Sequence, residues 1–275
     1  MVIPDGVESL GDDAFKDCSW ISTITFGEGL REIGDGAFEG CTQLQKVSFA
    51  EGLDRIGAEA FKGDWRMQSV ALPLSVVSVD KTAFTGCSSL TGVTVPSHVA
   101  PLSDWFKPVY TQIKNVTIPA GETDVCANMF SNCTALVSAV IPEGVTNIAS
   151  GAFRNCNKLP SVTLPVSLIR VGDSAFRSCS SLSAIGLPDR VESIGAYAFY
   201  GCSNLRDVAL SKNLGEIPDY AFNGCSSLDS MYIPESVTNL GARIIGYYVS
   251  AMYFVGKAPS YDTNVYADTR SSLTT

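Results

Sequence analysis

Nine cysteines and one histidine carry most of the reactive chemistry in this chain. Eight of the cysteines, Cys18, Cys41, Cys87, Cys133, Cys156, Cys179, Cys202 and Cys225, are spaced by 23 residues or a multiple of 23. A disulfide prefers Cβ atoms ~3.8 Å apart. Side chains in one column of stacked turns stay about as far apart as the strands that carry them, ~4.8 Å. Zinc sites need pairs of the C-x₂₋₄-C kind, and the sequence has none. The column therefore reads as small buried hydrophobes in a tight corner, reduced and unreactive. Cys126 stands outside it and is the candidate for an unusual thiol. Any Ser/His/Asp or Cys/His mechanism would have to pass through His98. Its chain neighbours Ser97 and Val99 supply no triad geometry. No G-x-G-x-x-G, no G-x-x-x-x-G-K-[ST] and no paired-carboxylate constellation is present. The expectation is a chain without catalytic residues, cofactor or metal. Asn115-Val116-Thr117 and Asn132-Cys133-Thr134 match the glycosylation acceptor pattern, which matters only in a eukaryotic secretory host.

The elements that position these residues form an array. Ala-Phe recurs at Phe15, Phe38, Phe61, Phe84, Phe153, Phe176, Phe199 and Phe222, and Met129-Phe130 keeps the register. Phe15 to Phe222 is nine steps of 23, and one slot, at Lys107, lacks the aromatic. One clean copy runs Leu182, Ile185, Leu187, Pro188, Val191, Ile194, Gly195, Ala198, Phe199, Gly201, Cys202. About eleven turns span Ile3 to Ile233 and beyond. A unit this short cannot bury its apolar residues alone, so neighbours must stack and turn each column into a ladder. Leu-x-x-Val-x-Ile ends in period-2 alternation and reads as a short strand. Successive strands run parallel at ~4.8 Å, which makes a rod on the order of 50 Å. Asp12, Asp35, Asp104, Ser150, Asp173 and Asp219 read as N-caps of a short helical turn. Gly40, Gly63, Gly86, Gly201, Gly224, Asn132 and Asn155 read as its left-handed stop. The fold expected is an α/β repeat solenoid with a parallel sheet and one short helical turn per repeat.

Composition narrows the partners. Of 275 residues, 45 % are hydrophobic and 17 % charged, which excludes a disordered chain. The charged residues are scattered, so no apolar run reaches the ~18–20 residues of a membrane span. Net charge is −9, which disfavours nucleic acid and anionic membrane surfaces. Residues 1–64 hold 13 acidic and 5 basic residues, net −8, and the other 211 residues sum to −1.

The unit I-P-x-x-V-x-x-I-G-x-x-A-F-x-x-C-x-x-L-x-x-V, repeated over residues 1–255, resembles the BspA-like leucine-rich repeats. The resemblance implies a right-handed leucine-rich-repeat superhelix on a cell-surface or extracellular protein that adheres to host proteins or other cells. Extracellular-matrix or plasma proteins are the partners it suggests. The array starts at Ile3 in mid-repeat, as an excised piece of a longer chain would. A structural spacer that displays other domains is the alternative.

The solenoid is expected over 1–259, with a C-terminal cap near 241–259 and a polar tail or linker at 260–275. The pattern is degenerate near 95–130, where Trp105, Phe106, Pro108 and Tyr110 replace the A-F-x-G-C core and Glu122 enters an apolar column. Phe106 or Trp105 is expected to fill the vacant phenylalanine slot. Asp64 breaks the cysteine column beside Trp65. Exposed strand positions are mostly Thr, Ser, Ala and Gly, but they end in Tyr232 and Tyr253 on adjacent turns. Binding energy concentrates in a few aromatic anchors. The candidate protein-binding residues are therefore Trp105, Phe106, Tyr110, His98, Tyr232 and Tyr253, with Trp105 or Tyr110 expected to be partly exposed.

Overall fold

The structure, a computed structural model, describes residues 1–98, 101–107, 109–246, 248–261 and 264–265. The chain forms two compact units, Met1–Pro119 and Ala120–Thr275. Both are stacks of 23-residue coils with parallel strands on two sides. In the first unit one side carries Val2–Ile3, Thr23–Phe26, Lys46–Ser48, Ser69–Ala71, Gly92–Thr94 and Asn115–Thr117. The second side carries Ser9–Leu10, Glu32–Ile33, Arg55–Ile56 and Ser78–Val79, paired in register 23 apart. In the second unit Ala184–Gly186 pairs with Asp207–Ala209 and Ser230–Ile233 with Ala251–Phe254. Its other side runs from Asp124–Val125 through Asn147–Ile148 and Arg170–Val171 to Ser193–Ile194. No strand forms at 161–163, where Pro160 removes the backbone donor that would start the ladder.

The third side is not a helical turn. Among the described residues the α-helix is Leu102–Trp105, and a 3₁₀ turn spans Tyr110–Gln112. The positions two before and two after most of the ladder phenylalanines adopt positive φ, as at Gly36 (62°) and Gly40 (77°), or Asn128 (56°) and Asn132 (63°), while Thr82 and Asp104 in the coils of Phe84 and Phe106 do not. A left-handed residue every fourth position stops any right-handed helix. It also turns alternate N–H groups along the stack. Gly36, Phe38 and Gly40 donate to the carbonyls of Ala58, Ala60 and Lys62 on the next coil, each at 2.8 Å. The residues between close i to i−3 turns within their own coil, as Lys16 does on Asp13. The aspartates read as helix caps act between coils instead. Asp12, Asp35, Asp173 and Asp219 each accept from the N–H 23 residues ahead, at 2.7–3.0 Å.

The core is a set of ladders. Phe15, Phe38, Phe61, Phe84 and Phe106 stack at 4.8–5.5 Å in the first unit. Phe130, Phe153, Phe176, Phe199 and Phe222 stack at 5.2–5.5 Å in the second. The vacant slot is filled by Phe106, one residue before Lys107, and the short helix Leu102–Trp105 absorbs the shift. The cysteine column lies alongside. Cys41, Cys87, Cys156, Cys179, Cys202 and Cys225 each donate Sγ–H to the carbonyl of the phenylalanine 26 residues earlier, at 3.1–3.3 Å. That bond accounts for cysteine here: it is small, apolar and carries one weak donor.

Strand pairing continues past residue 260. Ser260–Tyr261 pairs with Asn239–Leu240, and Val265 is buried. The last coil is shorter by two residues, since Ser230 pairs with Ala251 and Asn239 with Ser260, both 21 apart. Within Tyr248 to Phe254, the strand Ala251–Phe254 continues the stack by pairing with Ser230–Ile233. The expected remainder, 266–275, lies outside the described residues.

Candidate functional site

On the strand sides the inward residue is buried and its neighbours face water, the pattern of Ser69–Ala71 and Ala184–Gly186. The outward residues of the second unit include Ala184, Gly186 and Ala209, and beside them Tyr232 stands up from the sheet. Together with Arg206 and Asp207 they line an open hollow of about 380 Å³. Tyr232 is 63 % exposed and Tyr253 46 %. Their rings stack at 5.0 Å with planes 24° apart. Period 23 places the two tyrosines in neighbouring columns. The 21-residue coil instead makes Tyr232 and Tyr253 direct cross-strand partners. Two exposed aromatics beside small side chains form a rigid ridge next to a shallow hollow. That shape suits a protein surface better than an enclosed small molecule.

The degenerate coil divides the sequence candidates. Trp105 is 5 % exposed and Phe106 fully buried, so neither offers contact surface. Phe106 occupies the ladder and Trp105 packs from the short helix beside it. Tyr110 is half-buried and opens the 3₁₀ turn, and His98 is exposed. Gln112 Nε2 donates to the carbonyls of Cys87 and Leu90 at 2.9 and 3.0 Å, tying this coil to the one before. Of the sequence candidates, Tyr232 and Tyr253 stack on each other. Sequence reasoning missed a second aromatic group, Tyr197, Tyr200 and Tyr220, on the tight-turn side. Its signal was present, because Tyr197 and Tyr220 are 23 apart.

The model of the BspA type leucine rich repeat region matches residues 1–106, 103–189 and 123–250, in six copies. The chain belongs to the BspA-type leucine-rich repeat family. Among solved structures, this repeat protein is similar to a leucine-rich repeat protein from Bacteroides ovatus. That pair has 26 % identity over 95 % of this chain and 73 % of the other, with TM-score 0.57. A leucine-rich repeat protein of T. pallidum shares 28 % identity over 66 % and 78 % of the chains, TM-score 0.45. A leucine rich cell surface protein from Faecalibacterium prausnitzii shares 22 % over 91 % and 84 %, TM-score 0.35. No curated protein matches. The matching model describes a repeat region and names no catalytic family. Repeat proteins of this kind are in general protein-interaction modules. No helix among the described residues is long and apolar enough to cross a membrane.

Proposed function

We propose that this chain is a non-enzymatic, adhesion-type binding module at the cell surface or outside the cell, contacting a host protein or another cell. The observation that carries the reading is the exposed Tyr232–Tyr253 stack beside the hollow over Ala184, Gly186 and Ala209. Tyrosine anchors of this type dominate binding energy. The test is a binding screen of the chain against immobilised extracellular-matrix and plasma proteins, repeated with Tyr232→Ala and Tyr253→Ala. Each substitution is expected to weaken a true partner by more than ~1 kcal/mol, about fivefold or more. Unchanged affinity in the double variant, with the melting temperature intact, refutes this site.

A second reading, a spacer that displays other domains, draws on the first unit. Its outward strand positions Thr25, Ser48, Ala71, Thr94 and Thr117 offer no aromatic or charged anchor. A chain that binds nothing in the screen yet keeps its stability supports the spacer.

A further inference from the structure

Two positions around each ladder phenylalanine face outward on the tight-turn side: the residue two before it and the residue one after it. In the first unit these columns neutralise themselves. Lys16 pairs with Glu39 at 2.8 Å, and Lys62 pairs with Glu39 and Glu59 at 3.0 and 2.8 Å. In the second unit the same columns hold Ser174, Tyr197, Tyr220 and Arg243, and Arg154, Arg177, Tyr200 and Asn223. None of the ion pairs among the described residues involves Arg154, Arg177 or Arg243. The nearby carboxylates of Asp173 and Asp219 accept from the N–H groups of Ala196 and Ala242.

The aromatics here are held at a conformational cost. Tyr197 and Tyr220 have φ of 59° and 58°, in a column that holds Gly36, Asn128 and Gly151 and otherwise Asp13, Glu59, Ser174 and Arg243, none of them aromatic or β-branched. Bulky residues rarely occupy this region, and such strain clusters at ligand contacts. Their rings stack at 4.7 Å, 6° from parallel. The Arg177 guanidinium lies 5.6 Å from the Tyr197 ring and 5.0 Å from that of Tyr200. Stacking covers one face each of Tyr197 and Tyr220, the Arg177 guanidinium lies over Tyr197 and Tyr200, and the half-buried rings keep edges accessible. The edge is the positive part of an aromatic quadrupole. With a guanidinium beside it, the patch offers positive edges and planar donors matched to carboxylates.

We propose that Arg177, Tyr197, Tyr200 and Tyr220, with Arg154 one coil away, dock an acidic segment of a partner protein. This site is separate from the strand-face ridge and stands without it. The test is fluorescence anisotropy of a labelled oligo-glutamate peptide with the full chain. The comparison variants are Arg177→Glu, the double variant Tyr197→Gly/Tyr220→Gly, and Tyr232→Ala. Glycine takes the left-handed conformation freely, so the double variant removes the rings without straining the coil. An unchanged thermal melt checks that it stays folded. Saturable binding that weakens with salt is expected, about tenfold weaker or more in the first two variants and unchanged in Tyr232→Ala. The proposal is overturned by absent saturable binding or by equal binding in the Tyr197→Gly/Tyr220→Gly variant. It is also overturned if a sulfated oligosaccharide or single-stranded RNA binds through these residues while the peptide does not. Self-association by light scattering that Arg177→Glu abolishes, without peptide binding, would assign the face to a second copy and overturn it as well.

Discussion

Asp64 sits where its column-mates are cysteines, fully buried, and neither carboxyl oxygen has a hydrogen-bond partner. Desolvation by burial pushes its pKa from 3.8 to about 9. At neutral pH it is therefore a carboxylic acid, which carries an O–H where the thiols above and below carry S–H. Because the folded pKa is raised, the folded state binds more protons than the unfolded state between pH 4 and 9. Stability is fully present below about pH 4 and falls as pH rises through that window, by ~1.4 kcal/mol per unit. By pH 7 the loss is on the order of 4 kcal/mol. Asp64→Cys removes the titration and restores the column, since its thiol would face the Phe38 carbonyl as Cys41 faces that of Phe15. Burial pushes the Cys41 thiol up to about 12, so a cysteine at 64 adds no slope below pH 9. Urea unfolding of both proteins from pH 4 to 8 measures the difference. The advantage of Asp64→Cys should grow by ~1.4 kcal/mol per pH unit above about pH 5. Asp64→Asn should flatten the slope while leaving buried polar atoms unpaired. A pH-independent difference between wild type and Asp64→Cys refutes the buried neutral acid.

Other expectations follow from the ladders. Phe153→Ala, in the middle of a five-ring stack, should cost ~3–5 kcal/mol in denaturant unfolding. Gly57→Ala should destabilise by ~2 kcal/mol or more, because a Cβ there would lie 2.8 Å from the Asp35 backbone nitrogen. Thiol alkylation of the native protein should reach Cys18 and Cys126 first, since the other seven cysteines are buried. Burial also pushes the Cys133 and Cys225 thiols up to about 12. Unfolding should then expose all nine thiols, and a native count well above two contradicts this packing.

The periodicity made the solenoid legible because every coil repeats the same burial problem. Leu182, Ile185, Val191 and Phe199 each have a stacking neighbour 23 residues away, so one column predicts the next. The tight turn was misread for a physical reason. An aspartate followed several residues later by glycine satisfies both a capped helical turn and a ladder of left-handed residues. What separates them is the second permissive position, four residues before the stop: Gly36 with Gly40, Asn128 with Asn132, Gly151 with Asn155. A single helical turn needs one left-handed residue at its end and tolerates none at its start. Two such columns in register are incompatible with a helical turn, and the first is only partly marked by Gly and Asn in the sequence.

That same distinction governs what could be seen of the candidate surfaces. Tyr232 and Tyr253 were visible because strand alternation points them outward, although period 23 put them in neighbouring columns. Only the two-residue shortening of the last coil sets them face to face. Tyr197 and Tyr220 were hidden because a helical turn would give those positions ordinary backbone angles, and a tyrosine there would need no explanation. In the left-handed column it does. Seven of the coils meet that demand with Gly, Asn, Asp, Ser, Glu or Arg, and the two consecutive coils that use tyrosine also place Arg177 against the rings. Restoring glycine at both positions should therefore leave the melt unchanged or raised, because it relieves the strained φ at each. A clear drop in melting temperature would mean that the Tyr197–Tyr220 stack holds the coils together, and that the strain is repaid by packing and not by a ligand.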